Sequence, residues 1–447
     1  MHPPFKRQRG AVAVMVALAM LVLLAVVGLV IDGGLAYMVK ARLNAAVDSA
    51  ALAAARAVPA GNNQTEQRAS AQNAAAEFFS ANIPSDYLLS QPKLLSTEVT
   101  FDAGMATIDV RAEAPMPVSI MQVLGFTALT PRAYAQTIRR DLDMAFVVDT
   151  SGSLYNNRAA VKVAAKTFLN KFNVTQDRVG LVHFATGAEV DNAIYPAARG
   201  FDRPSMLKNI DSYVFDGTTA SVEGMWQARQ QLKSVPLANR SALRVIVFFS
   251  DGVPEALGSI VTFNDPNDDC NKKPGVLTVG GGGLFRLDDS QPRQIEECRV
   301  WTQVPGSYVW NVKKLPDSYN AHDDLREFPI VTTASSLRTV TADLSPSNYQ
   351  RNVDRAARNL PEAVAAKARD EGIFVFTLGM GDSLKVKSGV DNEVGENVLK
   401  CMANVADGPA RCYNPQKPVG MYCHAATEAD LTPCFSRLAS AILRISK

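Results

Sequence analysis

Met144-Ala145-Phe146-Val147-Val148-Asp149-Thr150-Ser151-Gly152-Ser153 is an apolar run that stops abruptly in a carboxylate and two spaced hydroxyls. A short continuous apolar run reads as a strand buried on both faces. Asp-x-Ser-x-Ser placed directly after it delivers Asp149, Ser151 and Ser153 to one point at the carboxyl end of that strand. A second run, Val245 to Phe249, ends in Ser250-Asp251-Gly252, and Gly217-Thr218-Thr219 opens the amphipathic stretch Val222 to Leu232. The hydroxyls and carboxylates of Asp149, Ser151, Ser153, Thr219 and Asp251 form an all-oxygen donor set. Mg²⁺ and Mn²⁺ prefer oxygen ligands in near-octahedral geometry, so a hard-cation site is expected.

These residues resemble the metal-ion-dependent adhesion site of von Willebrand factor type A domains. The resemblance implies that both serines and the threonine contact the metal, that the aspartates act directly or through water, and that a Glu or Asp of a partner completes the site. It also implies a Rossmann-like α/β fold, a mainly parallel sheet with helices on both faces. The alternation of patterns from Asp141 onward agrees. Strands are predicted near 143–149, 178–185, 189–194, 244–250, 373–379 and 410–413, and helices near 157–172, 204–213, 220–234, 351–371, 395–405 and 433–445. The last helix is predicted to start with Thr432 as cap and Pro433 at its first position, burying Leu431, Leu438, Ile442 and Ile445. Ligands of such sheets bind beyond the carboxyl ends of strands, where Asp149 and Asp251 are expected.

At 447 residues the chain suits two or three domains. Lys plus Arg number 46 against 44 Asp plus Glu, and the charges are interspersed, which excludes the clustered basic surface that nucleic-acid binding needs. The four histidines, His2, His183, His322 and His424, stand at no metal-ligand spacing, and His183 in the run Val179 to Ala185 reads as a core or strand-edge residue.

Ala11 to Ile31 is a stretch of 21 residues without a charge, long enough to cross a bilayer as a helix. Lys6, Arg7 and Arg9 precede it, so the first ten residues are expected in the cytoplasm and everything after Asp32 outside. An uncleaved anchor is expected rather than a signal peptide, whose apolar core is shorter. All six cysteines, Cys270, Cys298, Cys401, Cys412, Cys423 and Cys434, lie in the exported part, where disulfides are expected. Cys270 with Cys298 is the local pair, and six cysteines otherwise leave the connectivity open.

Past the span, Val39, Leu43, Val47, Ala50 and Ala54 recur at helical spacing opposite Lys40, Asn44 and Asp48, so the helix continues until Pro59 and Gly61. A second helix is predicted over about Gln64 to Asn82, ended by Pro84. Strands Glu98 to Phe101 and Thr107 to Ala112 follow, around the turn Asp102-Ala103-Gly104. The text Arg9-Gly10, Asp32-Gly33-Gly34-x-x-Tyr37, Leu43-Asn44-Ala45-Ala46-Val47-Asp48, Ala50-Ala51-Leu52-Ala53, Gln122-Val123-Leu124-Gly125 and Ala133-Tyr134-Ala135 resembles the TadE/TadG-like family of tight-adherence (Flp) pilus assembly proteins. With a carboxyl-terminal type A domain the layout is similar to that of TadG-like members. One departure stands out: pseudopilins cut by prepilin peptidase carry Glu at the fifth position after the glycine, where this chain has Met15.

The division expected is therefore a tail (1–10), a transmembrane helix (11–31), a small pilin-like α+β module (32–140) and the type A domain (141–447), with an insertion at about 256–350. The resemblances imply a single-pass inner-membrane protein, its bulk periplasmic or at the cell surface, that serves pilus assembly or adhesion. Its partners would be pilus-assembly or envelope proteins, met through a partner carboxylate at Mg²⁺ or Mn²⁺. A structural anchor with an unused metal site is the alternative.

The insertion leaves the metal-bearing end of a strand and so begins beside the expected site, and long loops of this kind carry binding surfaces. Asp265-x-Asn267-x-Asp269 begins like a calcium loop, but Cys270 stands where Gly is needed and Val276 where Glu is needed. Gly280 to Gly283 lacks the Lys and Ser/Thr of a phosphate loop and reads as a turn. No enzymatic activity is expected: hydrolysis needs a general base, and only Glu223 and Glu255 fall near the three loops.

Overall fold

The computed structural model describes residues 10–58, 64–102, 105–241, 243–322, 326–332 and 338–445, which divide into two compact units, 1–139 and 140–447. The basic flank Lys6, Arg7 and Arg9, the helix breakers Pro59 and Gly61, and the turn residues Ala103 and Gly104 lie outside the described residues.

In the first unit, α1 (Gly10–Ala57) is a single 48-residue helix. It is long and apolar enough to cross a membrane. Its second half buries Val39, Leu43, Val47, Ala50 and Ala54, with Lys40, Asn44 and Asp48 exposed on the other side. α2 (Gln64–Asn82) packs on this half through Ala71, Ala75 and Phe79. Alanines at the contact let the two helices approach closely, and Asn82 Nδ2 donates to Ser49 Oγ at 3.0 Å. An antiparallel sheet of β1 (Lys93–Asp102), β2 (Met105–Glu113) and β3 (Arg132–Arg140) covers the pair with Val99, Ile108, Val110 and Ala112. The two strands of the hairpin run longer than the sequence pattern indicates, because polar Lys93 and Glu113 pair at the far end, 2.8 Å apart.

The second unit is built on a six-stranded sheet. Its strands are β4 (Leu142–Asp149), β5 (Arg178–Phe184), β6 (Ala188–Asn192), β7 (Leu243–Ser250), β8 (Phe374–Met380) and β9 (Met421–Ala425), in the order β9-β8-β7-β4-β5-β6. All neighbours are parallel except β5 and β6. Side chains of β4 alternate between the two faces. Met144, Phe146 and Val148 meet α3 (Arg158–Leu169), α4 (Arg203–Ser212) and α8 (Glu428–Ile445), with Phe146, Phe168 and Phe435 in ring contact. Ala145 and Val147 meet α5 (Ser221–Ser234), α6 (Tyr349–Asp370) and α7 (Glu396–Ala403). Burial on both faces is why the central strands read as unbroken apolar runs.

Two expectations are corrected. Residues 410–413 form turns rather than a strand, because Cys412 is bonded to Cys401 in α7 and Arg411 is held by Glu362 and Glu393. The edge strand is β9. The last helix begins at Glu428, not after Thr432: Asp430 accepts hydrogen bonds from the Thr427 N–H (3.0 Å) and hydroxyl (2.8 Å), which closes the first turn. Pro433 therefore lies inside the helix. Leu431, Leu438 and Ile442 are buried as expected, while the Ile445 side chain lies outside the described residues.

The segment between β7 and α6 is folded, not a loop. Ala256–Ser259, Gly275–Thr278, Gly283–Phe285 and Gln294–Arg299 make a four-stranded antiparallel sheet, and Trp301–Val304 with Ser307–Trp310 a hairpin. Leu257, Leu277, Leu284 and Val300 join the core between the main sheet, α5 and α6. The expected local disulfide Cys270–Cys298 is present, and Cys401–Cys412 and Cys423–Cys434 complete the set. Asp265 accepts from the Asn267 N–H within a turn, at 2.9 Å, and Gly281 and Gly282 turn the chain with positive φ.

Candidate metal site at the strand ends

β4 and β7 are parallel and in register, with Val148 opposite Phe249, so their chains leave the sheet side by side. Asp149 ends β4 fully buried. One of its oxygens accepts the Ser151 N–H at 2.7 Å, and the other accepts the Ser250 hydroxyl at 2.5 Å. The turn into α3 then presents Ser151 and Ser153 on one side, their hydroxyl oxygens 3.1 Å apart. Ser153 Oγ donates to Asp251 Oδ1 at 2.7 Å. Thr219 lies on the third loop against Gly252, where an added Cβ would come within 3.0 Å of Thr219 Oγ1. Ser151, Ser153 and Asp251 thus form one hydrogen-bonded chain, Asp149 joins it through the Ser151 backbone, and Thr219 borders it across Gly252.

Backbone hydrogen bonds hold the three loops in place. The Thr150 N–H reaches Phe184 O (2.8 Å), the Asp216 N–H reaches Thr150 O (3.0 Å), and the Gly152 N–H reaches Gly217 O (3.1 Å). Gly217 has φ +86°, and a Cβ there would stand 2.3 Å from Thr186 Oγ1, so only glycine fits. Two supporting residues escaped the sequence reading. Ser250 orients Asp149, and Ser383, beyond the end of β8, donates to Asp251 O at 3.1 Å. The rule that sites gather at parallel strand ends would have pointed to the β8 loop.

Burial pushes the Asp149 carboxyl up to about 6, against the opposing pull of hydrogen bonds from Ser151 and Ser250. Burial, then the nearby Asp149 charge, pushes Asp251 up to about 7. Two carboxylates that resist ionisation together form a locus where a cation is favourable. The donor spacing also fits: ligands about 2.1 Å from an octahedral Mg²⁺ sit about 3 Å apart along an edge, close to the 3.1 Å and 2.7 Å separations along Ser151, Ser153 and Asp251. Among the described residues no group of three or more His, Cys, Asp or Glu is placed to hold a metal. Hydroxyls make up much of the candidate set here.

Of the two nearby acid–base candidates, Glu223 is engaged elsewhere. Glu223 is fully buried and accepts from Gly258 N–H (2.8 Å) and Tyr319 OH (2.9 Å), with His322 Nε2 at 2.7 Å. Trp226 stacks on the His322 ring at 3.8 Å. Glu223 therefore pins the insertion to α5. His183, near the strand edge as its sequence context suggests, has Nδ1 2.9 Å from Asp191 and Nε2 3.1 Å from Ser290 Oγ. Ser290 is itself buried, so this Ser-His-Asp row ties the insertion to β5 and β6 and presents no open nucleophile.

This sheet and its loops define a von Willebrand factor type A domain, and the family of that description matches residues 144–253. A second family, described as "Putative Flp pilus-assembly TadE/G-like", matches residues 10–57, within α1. The two together bear out the resemblance to TadG-like proteins. No curated protein matches the chain. Among solved structures, the von Willebrand factor domain of the type V pili tip protein Mfa5 from Porphyromonas gingivalis is 16% identical, covering 70% of this chain and 98% of that one with a TM-score of 0.38. The pilus adhesin SpaC from Lactobacillus rhamnosus GG is 14% identical over 80% of this chain, with a TM-score of 0.37, and this chain spans 34% of its length. Proximal thread matrix protein 1 from the mussel byssus, in a form with a zinc-occupied adhesion motif, is 13% identical over 69% of this chain and 46% of its own length, with a TM-score of 0.30. Superpositions this loose carry no weight of their own; the fold rests on the topology above and on the family match.

Proposed function

We propose that the chain is a membrane-anchored component of tight-adherence pilus assembly or adhesion that holds an acidic partner group at its type A domain. Asp149, Ser151, Ser153, Thr219 and Asp251 would hold Mg²⁺ or Mn²⁺. The metal would supply an electrophilic position that a partner carboxylate can fill. The carrying observation is the hydroxyl–carboxylate chain Ser151, Ser153 and Asp251 at the ends of two adjacent parallel strands. Binding, rather than catalysis, is the reading favoured by Glu223, whose oxygens are taken up by Tyr319, His322 and Gly258. The division proposed is the tail, span, module and type A domain given above. The amino terminus is placed in the cytoplasm and the bulk of the chain outside the inner membrane; three disulfides in the second unit support an oxidising compartment.

A second reading has its own observation. Ser151, Ser153 and Asp251 are linked by hydrogen bonds, as are Asp149 and Ser250, so the site would also serve a purely structural anchor. Co-purification from the envelope, with and without a chelator, separates the two. Partners lost with chelator and with Asp149→Ala, while the protein stays folded and membrane-bound, support metal-dependent capture. Unchanged partners and normal piliation in Asp149→Ala would leave the anchor reading.

A further inference from the structure

Within the first unit, the protein-facing stripe of α1 begins inside the apolar span. Val39, Asp32 and Gly28 are buried and Ala25 is half-buried, at helical spacing, whereas residues 12–24 are exposed all round. What lies against this lower end is the segment 119–124. A Cβ on Gly28 would lie 3.1 Å from Ile120 Cγ2 and 3.3 Å from Met121 N, so the loop backbone lies directly on the helix there. One turn higher, the Asp32 carboxylate, 1% exposed, accepts the N–H groups of Ser119 (3.1 Å), Ile120 (2.9 Å) and Met121 (2.8 Å).

Length decides where this loop must sit. If the membrane ended below Ala25, the span from Ala11 would have 14 residues, about 21 Å of helix, against a hydrocarbon core of about 30 Å. The whole run Ala11 to Ile31 gives about 31 Å. Gly28 then lies about 5 Å inside its upper edge, and the loop backbone packed on it lies at that depth too. Non-helical backbone is tolerated at such a level only when its polar groups are satisfied internally. Several are: besides the three bonds to Asp32, the Gly125 N–H reaches Gln122 O (2.9 Å), the Phe126 N–H reaches Met121 O (3.3 Å), and Gln122 Nε2 reaches Val118 O (2.9 Å). Phe126 projects outward, 49% exposed.

We infer that residues 119–126 form a membrane-inserted loop, seated at the boundary of headgroups and acyl chains beside α1, with Phe126 in contact with lipid and Asp32 neutralising the loop backbone. Its partner is the bilayer itself, which also fixes the depth and rotation of the anchor. The inference rests on α1 spanning the membrane.

The test uses the full chain in vesicles of phosphatidylethanolamine and phosphatidylglycerol, with a nitroxide on one introduced cysteine: Leu21→Cys in mid-span, Phe126→Cys in the loop, or Glu77→Cys on the exposed side of α2. Phe126 is exposed, so its replacement leaves no cavity, and the nitroxide is itself apolar. Collision with oxygen should dominate at positions 21 and 126, and collision with a water-soluble nickel chelate at 77. A label at 126 as open to nickel as that at 77, with 21 still shielded, overturns the inserted loop while the span stands. Nickel access at 21 as well overturns the span, and the loop with it.

Discussion

Removing one charge from the strand-end site should make the protein's response to metal and to pH change together. Asp149 and Asp251 have folded-state pKa values raised above the ordinary 3.8, mainly by burial. A raised carboxyl pKa favours the protonated form in the fold, so the stability it contributes is fully present below about pH 4 and is lost as pH rises through about 6 to 7. For Asp149, fully buried, the rise from 3.8 to about 6 corresponds to about 3 kcal/mol at about 1.4 kcal/mol per unit, of which roughly half falls between pH 5 and 8. A bound cation compensates the ionised pair, and at a hundredfold excess over its dissociation constant contributes about 2.7 kcal/mol more. The assay is thermal melting of the fragment 140–447 and of its Asp149→Asn form, at pH 5 and pH 8, with and without Mg²⁺ or Mn²⁺. Without metal, the parent should lose about 2 °C relative to Asp149→Asn between the two pH values. Metal should raise the parent's melting temperature more at pH 8 than at pH 5, and should leave Asp149→Asn almost unmoved. Equal metal shifts in both proteins, or a shift independent of pH, would place the metal elsewhere and refute the reasoning.

Glu223→Ala should destabilise the same fragment by about 3–5 kcal/mol in urea unfolding, since it strands Tyr319, His322 and the Gly258 N–H in a buried site; a loss below about 1 kcal/mol would mean water replaces the carboxylate. Replacing Cys270 and Cys298 by Ala, 28 residues apart, should cost roughly 3–4 kcal/mol by loop closure, measured the same way. A reporter fused after Lys447 should be active only in its exported form, and cytoplasmic activity there would reverse the orientation read from Lys6, Arg7 and Arg9.

How much of this was legible in the chain depends on how local each signal is. Met144–Val148 and Val245–Phe249 announce central strands because burial on both faces makes every position apolar. β9 does not, because on this edge strand Cys423 and Ala425 are buried while Tyr422 and His424 are only partly covered, over a span of five residues. Residues 410–413 misled because a disulfide and two carboxylates, none of them adjacent in sequence, hold them in turns. Pro433 misled for the opposite reason: a good first-turn residue was read as the start when Thr427 and Asp430 had already capped the helix. The residues of the candidate site were visible as a motif. Ser250 and Ser383 were not, since their roles come from strand register and from a loop more than a hundred residues away.

The insertion's place beside the site changes how its contribution can be tested. Deleting most of it would remove Leu277, Leu284 and Val300 from the core shared with α5 and α6, so loss of function would report unfolding. Its contact with the site loops is narrow and specific. The Thr186 N–H reaches Ser290 O (2.9 Å), the Thr186 hydroxyl accepts the Thr218 N–H (3.1 Å), and Gly187 is pressed so close to the carbonyls of Arg286, Leu287 and Asp289 that a Cβ would come within 2.6 Å of each. Residues 286–292 therefore pack beside Gly187 and Gly217, two residues before Thr219, and Arg293, exposed and paired with Asp289 at 3.2 Å, is one of the nearby cations, with the exposed Arg286. An acidic partner drawn to the metal would feel that charge, whose effect at a surface is worth up to about 1 kcal/mol and fades with salt. Arg293→Glu should weaken partner capture a few-fold at low ionic strength, with unchanged melting temperature and less effect in high salt. Equal capture by Arg293→Glu at all salt concentrations would remove the insertion from the binding surface and leave partner choice to the strand-end loops alone.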